Sequence, residues 1–169
     1  MKRLIRAAIL GGIIVFLVEM FAWKVFPGIR AQLFRNPEAV ATVIKENVAT
    51  DGVYVLRSRD QISNTCSFPH FFGTVLLKGR HSQAATRVIG LITQIVLAGC
   101  VSWILLQTTK LRFGKKVGLI TVIGFIIAIS REFQWFNWAG FPLEYALIHG
   151  MIQVISWFLA GLGMARVLK

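Results

Sequence analysis

Six polar residues sit inside otherwise apolar stretches of this chain: Glu19, Gln94, Arg131, Glu132, His149 and Gln153. An ionisable side chain in hydrocarbon is costly, so it turns inward, pairs, or reaches water. The residue types allow two chemistries. Glu19 with Arg131 can form an ion pair, with His149 and Gln94 as hydrogen-bonding neighbours and Gln153 one turn deeper, and such a pair would fix how helices pack. Alternatively, Glu19 and His149 can hold and release a proton or take a small ligand. Counted inward at about 1.5 Å per residue, Glu19, Gln94, the Arg131-Glu132 pair and His149 all fall roughly 5–10 Å below one interface, one contribution from each apolar stretch. That shared depth is the reason to treat them as one polar cluster.

The elements that must position them are the stretches themselves, near Leu4–Trp23, Ala84–Thr109, Val117–Ser130 and Leu143–Val167. A helix needs about 20 mostly apolar residues to cross a bilayer. Three stretches meet that length, and the third does so if it runs through Arg131 and Glu132 to Trp135. With 56% apolar and 15% charged residues in 169, the chain carries more apolar surface than a soluble core of this size could hide. The expected fold is an all-α membrane protein: a four-helix transmembrane bundle with a small extracytoplasmic αββ cap between spans one and two. Span one occupies residues 1–26, the cap 27–83, and spans two to four 84–169.

Orientation follows from Lys and Arg in short flanks. Lys2, Arg3 and Arg6 precede span one, Lys110, Arg112, Lys115 and Lys116 fill the second connection, and Arg166 and Lys169 close the chain. These flanks belong in the cytoplasm, with both termini on that side. The long connection is then outside, although Arg57, Arg59, Lys78, Arg80 and Arg87 make it basic too. A net charge of +12 would suggest nucleic acid in a soluble protein, but here the basic residues flank spans and meet anionic headgroups, so no nucleic-acid partner is expected. Span one reads as a retained anchor rather than a signal peptide: its apolar stretch is long, it contains Glu19, and no small-x-small site precedes Lys24.

Within the long connection, Asn36-Pro37-Glu38 has the cap, first-turn proline and first-turn acid of a short helix. Val40, Val43, Ile44 and Val48 share one of its faces. Asp51-Gly52 ends that pattern, and Val53–Leu56 and Phe71–Leu77 are the candidate strands. Such a cap is marginal alone and is expected to rest on the outer ends of the spans near Trp135 and Trp138. Trp23, Trp135, Trp138 and Phe141 form an interfacial aromatic belt, with Phe133–Pro142 as an aromatic turn between spans three and four. Small residues at packing spacing mark helix contacts: Gly90, Ala98, Gly99 and Ser102 in span two, and Ser156, Ala160, Gly161, Gly163 and Ala165 in span four.

Several activities lack their residues. A thiol oxidoreductase needs Cys-x-x-Cys, whereas Cys66 lies in the long loop and Cys100 in the inner half of span two. Haem needs axial ligands on facing spans, and of three histidines only His149 is intramembrane. His70 and His81 lack clustered carboxylates or thiolates for a metal site. No phosphate-binding glycine loop, Gly-x-Ser-x-Gly or His-Glu-x-x-His is present. No cofactor, metal or catalytic role is therefore expected. Trp103 and Trp157 read as lipid or packing residues, and Glu144 and Lys24 as interfacial charges.

The stretch Trp135-Phe136-Asn137-Trp138-Ala139-Gly140-Phe141-Pro142, followed by Gln153–Trp157 and a small-residue tail, resembles a group of uncharacterised bacterial four-span inner-membrane proteins. Their pattern is Trp-Asn-Trp-x-Gly-Phe-Pro before a last span containing Gly-Trp; here Phe136 is interposed and Ser156 stands at the glycine. The basic start and Asp51-Gly52-Val53-Tyr54 extend the similarity. The resemblance implies a bacterial inner membrane and no assigned activity. A carboxylate in the first of four spans is also similar to the small multidrug transporters, which are shorter, have tight loops, and lack a competitor such as Arg131. The leading expectation is a non-enzymatic accessory or envelope component acting through lipid, another membrane protein or a second copy of itself. A small proton-coupled transporter using Glu19 and His149 is the alternative.

Overall fold

The computed structural model describes residues 1–26, 32–56, 71–79, 82–108 and 111–168. Arg57, Arg59, Cys66, His70, Arg80, His81, Lys110 and Lys169 lie outside these ranges. Element order is α1 (Lys2–Val25), α2 (Pro37–Asn47), β1 (Gly52–Leu56), β2 (Phe71–Val75), α3 (Gln83–Gln107), α4 (Phe113–Ala128), a π-helical segment (Ile129–Phe133), α5 (Gln134–Ala139) and α6 (Leu143–Val167). The chain divides into two compact units, Met1–Arg30 with Ser82–Lys169, and Ala31–His81.

In the larger unit, four helices are long and apolar enough to cross a membrane: Lys2–Val25, Gln83–Gln107, Phe113–Ala139 and Leu143–Val167. The chain is a multi-pass membrane protein. Phe21, Val96, Trp103, Phe125 and Met151 point outward, an arrangement that lipid accommodates and water would not. Helix α1 ends where Phe26, which precedes Pro27 in the chain, takes an extended conformation. Gly140, in the left-handed conformation at φ 70°, terminates α5, and Pro142 stands at the N-terminal cap of α6.

The third span departs from its expected bounds. Instead of giving way to an aromatic turn at Phe133, it stays helical to Ala139, and only Gly140–Pro142 form the turn. Gln134-Trp135-Phe136-Asn137-Trp138-Ala139 contains no helix breaker, so the helix runs to the first residue that imposes one. Its α-helical period is interrupted, because Ile129–Phe133 is a π-helical turn. Such turns shift side-chain phase within a helix and occur often at functional positions. Here the shift buries Glu132 and leaves Arg131 exposed.

Packing places α1 against α3 and α6, and α6 against α4. Among the described residues, α3 and α4 have few direct backbone approaches, although a short connection joins them. Glycines set the tight seams, since van der Waals contact replaces the hydrophobic drive between helices in lipid. A Cβ on Gly12 of α1 would lie 2.5 Å from the Ile95 Cα of α3, and one on Gly124 of α4 would lie 2.5 Å from the Trp157 Cβ of α6. Val15, Ala98, Leu105, Ile120, Trp157 and Met164 fill the core between these seams.

Lys116 is buried, and its Nζ donates to the Leu168 backbone oxygen at 2.7 Å. This lysine satisfies an orphan carbonyl at the C-terminal end of α6, where a positive charge also suits the helix dipole.

In the smaller unit, the Asn36 side chain accepts from Ala39 N at 2.9 Å and Pro37 opens α2, as the residue types predict. Strands β1 and β2 pair antiparallel from Gly52 opposite Val75 to Leu56 opposite Phe71. The Asp51 carboxylate accepts from Leu77 N at 2.7 Å, fastening the open end of the hairpin. No residue of α2 is buried. A two-stranded ribbon and one short helix give little enclosed apolar area.

The seams predict an asymmetric response to one methyl group. Gly12→Ala should lower thermal stability in detergent by about 1–3 kcal/mol, because the added methyl meets backbone that no rotamer change can move. Gly118→Ala, where a Cβ meets nothing within 4 Å, should be neutral or slightly stabilising when the same melting curves are compared.

Candidate functional site

Glu19 faces the bundle because it continues the inward stripe of α1, on which Ala8, Gly12, Val15 and Ala22 are buried. Gln94 belongs to the same kind of stripe on α3, one turn before buried Ala98. Gln153 does so on α6, between buried Gly150 and Trp157. The three side chains meet. Gln94 Nε2 donates to both carboxylate oxygens of Glu19, at 3.2 Å to Oε1 and 3.0 Å to Oε2. With its amide oriented by its neighbours, Gln153 donates to Glu19 Oε1 at 2.9 Å and accepts from Trp157 Nε1 at 3.0 Å. Trp157 is fully buried against Gly124, so this line of contacts reaches from α3 through α1 and α6 to α4.

A cavity of about 80 Å³ adjoins Glu19, lined by Ala22, Trp23, Arg131, Tyr145, His149, Ile152 and Gln153. It has room for a few waters or a small polar group. An aromatic series runs to it: Trp135 stacks on Phe141 at 5.6 Å between ring centroids, Phe141 meets Tyr145 edge-on at 5.2 Å, and Tyr145 lies 4.2 Å from His149. His149 in turn meets Trp23 edge-on at 5.9 Å. Trp138 stands outside this series and is exposed.

The direct ion pair expected between Glu19 and Arg131 is not formed. Arg131 Nε instead binds Glu132 Oε1 at 3.2 Å, with the arginine side chain 55% exposed and the glutamate 5%. Equal depth is silent on azimuth, and Glu132, in the same π-helical turn, gives Arg131 a nearer acceptor. Glu19 and Arg131 still border the same cavity. When both glutamates are ionised, two carboxylates share one guanidinium, so a proton, an ammonium group or a small cation entering beside Glu19 would restore neutrality. Glu19 Oε2 holds only the Gln94 bond among the described residues, whereas a carboxylate oxygen can accept two.

Two participants were not legible beforehand as members of the site. Trp157 orients Gln153, a role signalled only by their spacing of four on one helix face, and Gly124 makes room for that indole without any sequence mark that distinguishes it from other glycines. Among the described residues, no three His, Cys, Asp or Glu side chains gather where they could hold a metal. Comparison with protein-family models, curated proteins and solved structures finds no match to this chain.

The observed pairing predicts which double substitution shows coupling. Arg131→Met strands the buried Glu132 carboxylate and should cost about 1–3 kcal/mol, with the exposed guanidinium keeping the loss at the lower end. Adding Glu132→Gln should recover most of that loss in a thermal double-mutant cycle. Adding Glu19→Gln should recover much less, and the opposite ranking would show that Arg131 serves Glu19 first. Gln153→Leu removes a donor from Glu19 and an acceptor from Trp157 and should be destabilising by a similar amount.

Proposed function

We propose that this chain is a non-enzymatic accessory component of a bacterial inner membrane, acting at its Glu19 cavity on a group presented by the surrounding bilayer. One observation carries the reading: the cavity lies against a carboxylate that three helices hold in place but do not saturate. Preorganised acceptors aimed into a small space favour binding, since no ordering cost remains when the ligand arrives. The Trp135–Pro142 stretch and its similarity to bacterial four-span proteins support the choice of membrane. Basic flanks at Lys2, Arg3, Arg6, Arg112, Lys115 and Arg166 support cytoplasmic termini, which makes α2 and the hairpin an extracytoplasmic cap.

A second reading, a small proton-coupled transporter, draws support from His149 and Glu19 bordering the same cavity. The close seams at Gly12 and Gly124 argue against it, because alternating access requires helices that rock against one another.

Two measurements test the proposal. Reporter fusions after residue 112 should be active in their cytoplasmic form and inactive in their exported form, with the reverse for fusions after residue 45. Cells carrying Glu19→Gln should make normal amounts of protein yet share the envelope-stress sensitivity of cells lacking it. Proteoliposomes should show no Glu19-dependent proton flux under an imposed gradient; a flux abolished by Glu19→Gln would establish the transporter instead.

A further inference from the structure

One pair of buried side chains separates an apolar groove from the polar cavity. Ala22 and Ile152 line it, and the same two residues line an apolar groove of about 400 Å³ between α1 and α6, with Leu17, Phe21, Ile155 and Leu159. A charged pocket and a hydrocarbon-lined groove therefore share a boundary two side chains wide. A water-soluble ligand would use the first and leave the second unexplained. A lipid uses both.

The pocket's charges narrow the headgroup. Glu19 Oε2 has acceptor capacity left beside the cavity. Arg131 pairs through Nε with Glu132 while its side chain stays 55% exposed, and it lines the same cavity with a five-donor guanidinium. A carboxylate that needs an N–H donor, beside a guanidinium fork that suits a phosphate, complements a group bearing ammonium and phosphodiester together. Trp23 and Tyr145 line the same cavity, and an aromatic ring beside a cation adds attraction. The small volume and the need for N–H donors favour a primary ammonium over a trimethylated one.

Resting on the reading that the Glu19 cavity takes a bilayer group, we infer that the site binds an aminophospholipid of the phosphatidylethanolamine class. Its ammonium sits at Glu19, its phosphodiester at Arg131, and one acyl chain lies in the α1/α6 groove. Contacts of each kind fall on a different part of the lipid, so recognition depends on all three together.

The test uses the full chain, purified in detergent and titrated with phosphatidylethanolamine, phosphatidylcholine, phosphatidylglycerol or soluble phosphoethanolamine. Lipid retention is read by native mass spectrometry and stabilisation by melting temperature. Phosphatidylethanolamine should bind about tenfold or more tightly than the other two lipids, as expected when a charge-assisted contact is lost. Phosphoethanolamine alone should stabilise far less, because it leaves the groove empty. Glu19→Gln and Arg131→Met should each erase the lipid preference. If either variant fails to fold, the selectivity of the unaltered protein decides. Equal retention of the choline and ethanolamine lipids, or equal protection by the soluble headgroup, overturns the assignment. Glu19-dependent preference for phosphatidylglycerol would overturn the lipid class while sparing the broader proposal. No Glu19-dependent binding, together with a silent Glu19→Gln in cells, would overturn both.

Discussion

A carboxylate placed in hydrocarbon must find donors within the protein, because the surrounding phase offers none. Glu19 obtains them from two other helices, Gln94 on α3 and Gln153 on α6, and that requirement fixes the rotation of three helices about their axes at once. The apolar stripes below it would tolerate a small rotation, since one methyl-bearing side chain can replace another at a lipid-like interface. A hydrogen bond near 3 Å tolerates much less. The fourth helix joins through shape, with Gly124 seated on the indole whose N–H orients Gln153. Directional bonds thus set the phase of the bundle, and glycine contacts set its spacing.

These two kinds of constraint act at different heights. Gly11 and Gly12 bring α1 close to Met164, Ala98 and Ile95 below the polar layer, where the core is filled by Val15, Leu105, Ile120 and Met164. On the other side of it, Ala22 and Ile152 form a small buried cluster of their own, with Tyr145 and Ile148, at the wall of the cavity. A tight lower half holds the upper half in register without closing it. That division lets a binding surface be both preorganised and accessible, because Glu19 and Gln153 border the cavity while the close glycine contacts lie elsewhere.

Much of this was legible in the residues, and the failures have physical causes. Asn36-Pro37 located the start of α2, Pro142 marked the end of the last turn though not its start, and Leu143–Val167 needed no correction, since each is governed by local backbone chemistry. Four spans followed from apolar length. Depth suggested that Glu19, Gln94, Arg131, Glu132 and His149 form one layer with Gln153 a turn deeper, because rise along a helix is a property of the chain alone. Partners within the layer were not legible: the Glu19–Arg131 pair required knowing which way each side chain points, and that depends on helix order and on a change of helical period. The Lys116 contact was not legible for a related reason, since a basic residue beside a span looks the same in sequence whether it meets headgroups or a helix end.

The π-helical turn at Ile129–Phe133 also alters what a comparison of sequences across this region would mean. Each residue of an α-helix advances the side-chain direction by about 100°, so accommodating one extra residue in a wide turn offsets everything beyond it by that angle. The segments on either side of Arg131 therefore keep separate angular frames. A relative lacking one residue here would align without a gap through Gly124 and again through Trp135, yet could not match both at once. An apparent single-residue deletion near position 131 would mark conversion to an uninterrupted helix that keeps the aromatic segment on the face it holds here, whereas loss of the wide turn at unchanged length would rotate that segment to another face. Gap placement at this point would thus sort relatives that share the polar layer from those that keep only the hydrophobic architecture.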